Sequence, residues 1–156
     1  MSNDRKFLRE AVEIAISGIK KGGGPFGAVI VKDNEIIAAS NNRVVLSGDP
    51  TAHAEVLVIR EAAKNLKTYD LSGCVLYSTC EPCPMCLGAI YWSGIGRVVY
   101  AADRNDAASA GFSDKIIYNE IPLDPSERKV IFEHIDDRGA KDVFRLWEEY
   151  EDKIRY

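Results

Sequence analysis

No stretch of this chain approaches the roughly 18 consecutive apolar residues that a membrane-spanning helix needs, so no membrane segment is expected. The opening residues, Met1 to Ala15, interleave charges with apolar side chains. They lack an uninterrupted apolar core and a small-residue cleavage site, so no secretory leader is read there. Positive charge is also in short supply: Lys and Arg number 20 against 24 Asp and Glu, a formal charge of −4, with no dense basic stripe. A general nucleic-acid binder carries a more positive surface, which makes nucleic acid a disfavoured partner. Cysteine occurs four times and histidine twice. Three of the cysteines crowd into seven residues, which is no disulfide framework and fits a reducing, cytoplasmic setting. Internal repeats and low-complexity linkers are absent.

What is present has the balance of a globular chain, 46% hydrophobic and 28% charged over 156 residues, and one domain over 1–156 is the expectation. Phe7, Leu8, Ala11, Val12, Ala15, Ile16 and Ile19 recur at three- and four-residue steps, which predicts an amphipathic helix ending at Gly22-Gly23-Gly24-Pro25. The run Ala28 to Val31, the turn residues Asp33-Asn34 and a β-prone run around Ile36-Ile37 make a hairpin. Asp49 and Pro50 suit the N-cap and first position of a helix that starts beside His53 and carries Val56, Ile59, Ala62, Ala63 and Leu66. Cys74 to Ser78 is a strand. Pro82-Cys83-Pro84 then breaks the chain and opens a helix with Leu87, Ile90 and Tyr91 on its buried side, and Arg97 to Ala101 follows as a strand. Further on, Asp106 to Ala110 suits a helical turn, Pro122 and Pro125 a loop, and Lys129 to Phe132 a strand. Val143, Leu146, Trp147, Tyr150 and Ile154 mark a C-terminal helix over about 140–156. The order is that of an α/β domain with helices on a mixed sheet.

Two segments carry the chemistry: Thr51-Ala52-His53-Ala54-Glu55 and Cys80-Glu81-Pro82-Cys83-Pro84-Met85-Cys86. Cys83 and Cys86, three apart at a helix start, can aim both sulfurs one way, and the helix N-terminus favours their thiolates. His53 completes a set of three ligands for Zn2+ and leaves the fourth tetrahedral position to water, as a catalytic site requires. Glu55 lies two residues from His53; both reach one place if the metal sits off the helix end, where the carboxylate can take a proton from water and hand it on. The competing arrangement is a structural site closed by Cys80, and the co-occurrence of two motifs, each before a predicted helix, favours the open one. An iron–sulfur cluster needs another cysteine soon after Cys86, and none comes. Cys74 reads as a buried thiol and His134 as a surface residue. His-x-Glu followed by Pro-Cys-x-x-Cys is the signature of zinc deaminases acting on nucleobases.

The sequence resembles the cytidine and deoxycytidylate deaminase superfamily and, within it, the bacterial guanine deaminases. The likeness runs through Gly23 to Ala38, Asn41 to Val56, Thr79 to Trp92 and Tyr100 to Asp114. It implies a three-layer α/β/α fold around a central mixed sheet of about five strands, one catalytic Zn2+ per subunit, and hydrolysis of guanine, a small purine base, to xanthine and ammonia. Carried over by position, His53, Cys83 and Cys86 match the metal ligands and Glu55 the proton shuttle. Asn42 matches an amide that binds the base, Phe26 a residue packing on the purine, Trp92 a pocket wall and Asp114 a polar residue near the departing amine. The resemblance further implies a homodimer whose C-terminal segments, ending in Tyr156, are exchanged and close the partner's pocket. The tRNA adenosine deaminases share both zinc motifs and the stretch Pro50 to Glu55. The acidic total, the Tyr91-Trp92 pair, Ala108 to Asp114 and the aromatic C-terminal helix lie nearer the guanine deaminases; guanosine and cytosine stay open as substrates.

Overall fold

In the computed structural model, which describes residues 3–156, the opening segment forms α1 (Asp4–Lys20) and buries the stripe Phe7, Ala11, Ala15 and Gly18. Val12, Ile16 and Ile19, on the rest of its apolar band, are exposed. The hairpin follows as β1 (Gly27–Lys32) and β2 (Glu35–Asn41). Asp33 and Asn34 at its tip take φ of 50° and 65°, the left-handed pair whose twist matches that of the flanking strands. A short helix α2 (Val44–Ser47) leads to α3 (Ala54–Leu66), then β3 (Val75–Cys80), α4 (Pro84–Trp92), β4 (Arg97–Ala102) and α5 (Arg104–Ser109).

The strands form a mixed sheet in the order β2-β1-β3-β4, with β1 antiparallel to both neighbours and β3 parallel to β4. Strand alternation sends side chains to two faces. Ala28, Ile30 and Leu76 join Ala54, Val58, Ala62 and Ile90 in one core, while Val29, Val31 and Tyr77 join Phe7 and Ala11 of α1 in the other. Each fully buried Val, Leu or Ile contributes about 1.5–3 kcal/mol relative to exposure. Gly27 lets α1 lie close to the start of β1, since a Cβ there would meet the Ala11 carbonyl oxygen at 2.2 Å. Helices on both faces give the expected three layers.

Three expectations need correction. The sheet has four strands, not about five: Lys129 to Phe132 forms no ladder, and Val130 and Ile131 are exposed, without the burial that favours a paired strand. α3 starts beside His53 as expected, but Asp49 and Pro50 are not its N-cap and first residue, because the Asp49 carboxylate accepts from the backbone and hydroxyl of Thr51 and so makes a turn. On α4, Ile90 is buried, but Leu87 and Tyr91 are exposed.

Contacts divide the chain into two compact units, the first ending at Asp114 and the second Lys115–Tyr156. The second holds α6 (Lys115–Glu120), a 3-10 turn at Pro125–Glu127 and α7 (Arg138–Glu149). Arg128 knits it together by hydrogen bonds to the carbonyls of Glu120, Ile121 and Leu123 and by lying over the Phe132 ring. No residue of this unit is buried. Among the described residues, no helix is long and apolar enough to cross a membrane.

Candidate metal centre

Both zinc motifs fall at helix starts. His53 is the N-cap of α3 (φ −67°, ψ 150°) and Cys83 the N-cap of α4 (φ −66°, ψ 169°), with Pro84 at the first helical position. A cap residue has not yet entered the helix, so its side chain projects past the end of the barrel. His53 and Glu55 can therefore address one point, although residues two apart inside a helix cannot. Neither cap side chain hydrogen-bonds its own helix, which forgoes about 1 kcal/mol of capping at each start. They face each other instead.

The His53 Nδ1 lies 3.5 Å from the Sγ of Cys83 and 3.5 Å from that of Cys86, and the two sulfurs are 3.5 Å apart. Donors at zinc-ligand distance from one tetrahedral ion are spaced about 3.5–3.8 Å. The triangle fits Zn2+, and two thiolates with a neutral imidazole balance its charge. Cys80 stands outside the cluster: its thiol donates to the Asp103 carbonyl at 3.5 Å, and burial pushes its pKa to about 11. The closed, four-ligand alternative therefore loses its fourth ligand.

Its hydrogen-bond contact with Cys86 pulls the Cys83 thiol down to about 4, against the effect of burial, and His53 adds to the pull. Cys86 is raised, first by its hydrogen-bond contact with Cys83 and then by burial. His53 is raised by its hydrogen bond with Cys83. Cys86 is thus the sulfur that keeps its proton, and a metal taking both thiolates displaces it. Beside this triangle Glu55 is only 4% exposed, and burial raises its pKa from the ordinary carboxylate value. One carboxylate oxygen, Oε1, accepts from the Ser78 hydroxyl at 2.9 Å; the other, Oε2, is 3.5 Å from the Cys86 sulfur. A raised carboxyl next to a metal is suited to taking a proton and giving it back.

Two further predicted residues are tied together at the entry to β1. The Asn42 N–H donates to the Phe26 carbonyl at 2.9 Å, and the Asn42 Oδ1 accepts from the Val44 N–H at 3.2 Å. Oδ1 is thereby held, and Nδ2, with no partner among the described residues, is free to donate to a ligand. Glycine is required at 24, where a Cβ would come within 2.9 Å of the Asn42 Oδ1. Half-buried Phe26 meets Phe112 edge-on, ring centroids 5.0 Å apart. Asp114 lies two residues beyond Phe112 and is half-buried. Trp92 ends α4 and is 73% exposed; Tyr156 belongs to the second unit and is 82% exposed. Sequence reasoning missed Ser78 and Phe112. Phe112 stood in a stretch carrying the resemblance, and strand alternation put Ser78 on the face that α3 covers.

A two-cysteine, one-histidine centre at paired helix starts on a mixed α/β sheet defines the class. Residues 1–102 match the cytidine and deoxycytidylate deaminase zinc-binding region, and the chain belongs to that family. It is 50% identical over 155 residues to a guanine deaminase of Bacillus subtilis (strain 168), covering 99% of each chain. An X-ray structure of guanine deaminase from Bacillus subtilis matches with a TM-score of 0.96 over 100% of this chain and 99% of that one. A tRNA-specific adenosine deaminase of Aquifex aeolicus (strain VF5) is 48% identical over 96 residues, 62% of this chain and 64% of its own. A guanine deaminase structure from Nitrosomonas europaea is 36% identical with a TM-score of 0.66, over 70% of this chain and 64% of that one.

Proposed function

We propose that this chain is a zinc-dependent hydrolase that converts guanine to xanthine and ammonia, acting on the free purine base in the cytoplasm. The observation that carries the reading is the buried Glu55 carboxylate set against the His53, Cys83, Cys86 triangle, a residue that binding the metal alone would not need. The whole-length likeness to a guanine deaminase, against a partial likeness to tRNA adenosine deaminases, supports the substrate. Zinc bound by the triangle supplies a Lewis acid that activates water for attack.

The protein's own groups do the rest. Glu55 accepts the proton that the attacking water sheds as its oxygen bonds to C2 of the ring. It passes that proton to a ring nitrogen, then takes the proton of the new C2 hydroxyl and gives it to the C2 amine, whose C–N bond breaks with release of ammonia as the C2 carbonyl forms. Phe26 packs on the purine, the Asn42 amide donates to it, Trp92 walls the pocket and Asp114 faces the departing amine. In this reading two chains form a homodimer, and Tyr156 at the end of an exchanged C-terminal segment closes the partner's pocket. The wholly unburied second unit, with Val143, Leu146 and Trp147 exposed on α7 and Tyr150 just past its end, supports an occupant for that face.

Ammonia release from guanine, guanosine, adenine, cytosine and a tRNA anticodon stem-loop tests the substrate: guanine is expected to be fastest, and equal rates on the RNA would overturn it. Glu55→Gln is expected to lower kcat by about 100- to 10,000-fold with full zinc content; wild-type turnover in that variant would remove the shuttle.

A further inference from the structure

We infer that Ser78 is a positioning residue that makes the two oxygens of the Glu55 carboxylate unequal, pinning one to β3 and leaving the other turned to the metal ligands. Ser78 pairs with Ala28 across the sheet, so its side chain shares the face that α3 covers, and it is fully buried. Its hydroxyl has one proton to give, and that proton goes to Glu55 Oε1 at 2.9 Å. The backbone N–H of Cys80 donates in turn to the Ser78 Oγ at 3.4 Å. The hydroxyl is thus oriented from behind by the strand that leads into the cysteine loop.

The alternatives for holding Glu55 are few. Apart from Ser78, the donors to its carboxylate among the described residues are its own backbone N–H and the Cys86 thiol, the latter on Oε2 at 3.5 Å. A cysteine that ligates a metal does so as thiolate and has no proton to donate. In the metal-loaded protein Ser78 is therefore the side-chain donor that remains to Glu55. A carboxylate with one oxygen fixed cannot rotate about its last bond, and its second oxygen stays aimed at the reacting water. Without the hydroxyl, the residue's own backbone N–H is the hydrogen-bond donor left to the buried carboxylate, and its productive orientation becomes one among several.

The inference rests on Glu55 being the proton carrier, and the test separates the two. In full-length, zinc-loaded protein, Ser78→Ala is expected to lower kcat on guanine about 10- to 100-fold, with KM within about threefold of wild type. Zinc content should stay unchanged, and a crystal structure should show the Glu55 carboxylate rotated from its wild-type plane. Placed in a Glu55→Gln background, the same substitution should cause no further loss, because its effect passes through the carboxylate. Ser78→Thr and Ser78→Val, matched in volume, differ only in the hydroxyl and guard against a packing effect; Thr should be the faster by a similar factor. Wild-type kcat in Ser78→Ala, equal rates for Thr and Val, or a further fall in the double variant would each overturn the role of Ser78. Full activity of Glu55→Gln would instead sink the shuttle itself.

Discussion

His53 must present a neutral ring nitrogen to a metal, yet its hydrogen bond with Cys83 raises its pKa above the ordinary imidazole value of about 6.5. The sign matters for how the protein loses zinc. In the metal-free chain the protonated imidazole is favoured, a stabilisation fully present at low pH and lost as pH rises through the raised value. Metal binding runs the other way, since protons compete with the ion for His53, and a further proton must leave Cys86. Cys83, down at about 4, is already a thiolate across this range and adds no pH dependence above it. Zinc retained after dialysis against a chelator is therefore expected to fall as pH drops through the His53 transition, which begins above the ordinary imidazole range. Zinc per chain measured between pH 8 and pH 5 checks this; a flat profile would contradict it. At this scale the donors were legible because a metal accepts few residue types at few spacings. Ser78 was not, because a serine in a strand acquires meaning only when the start of α3 is laid over it.

Among the elements, periodicity exposed α1 and the turn pair Asp33-Asn34 exposed the hairpin, each a local signal. The cap of α3 escaped because Asp49 is as good a turn former as a helix cap, and only the completed backbone shows the turn. The buried face of α4 escaped for another reason: its sequence, PMCLGAIYW, has no charged residue, so there was no polar side to read the buried side against. The loop before α4 is held from outside. The Glu81 N–H donates to the Ala102 carbonyl, and its carboxylate receives the backbone N–H and the guanidinium of Arg104 at the start of α5. Arg104→Ala should change global stability by roughly 0–1 kcal/mol, because the pair is partly exposed. It slackens the segment that aims Cys83, however, and zinc transfer to a chelating dye is expected to quicken several-fold. A large fall in melting temperature with unchanged metal release would show that the pair serves the fold and not the loop.

For the whole molecule, the first unit has a core on each face of its sheet, whereas the second, Lys115–Tyr156, buries no residue despite Ile116, Ile131, Phe144, Trp147 and Ile154. A lone chain rarely leaves so much apolar surface in water. Its helical period was legible, but a period states which side is apolar and not what covers it. If exchanged C-terminal segments complete the site, each pocket draws Glu55 from one chain and Tyr156 from the other, and two-fold symmetry makes that arrangement testable with mixed subunits. Glu55→Gln and Tyr156→Ala homodimers are each expected to be strongly impaired. Their heterodimer, purified with two different tags, has one pocket with both defects and one with neither, so activity should return to about half of wild type. Were Tyr156 to serve its own chain's pocket, each heterodimer site would carry a single defect. Mixing would then restore nothing, and the exchanged segment would have to be abandoned.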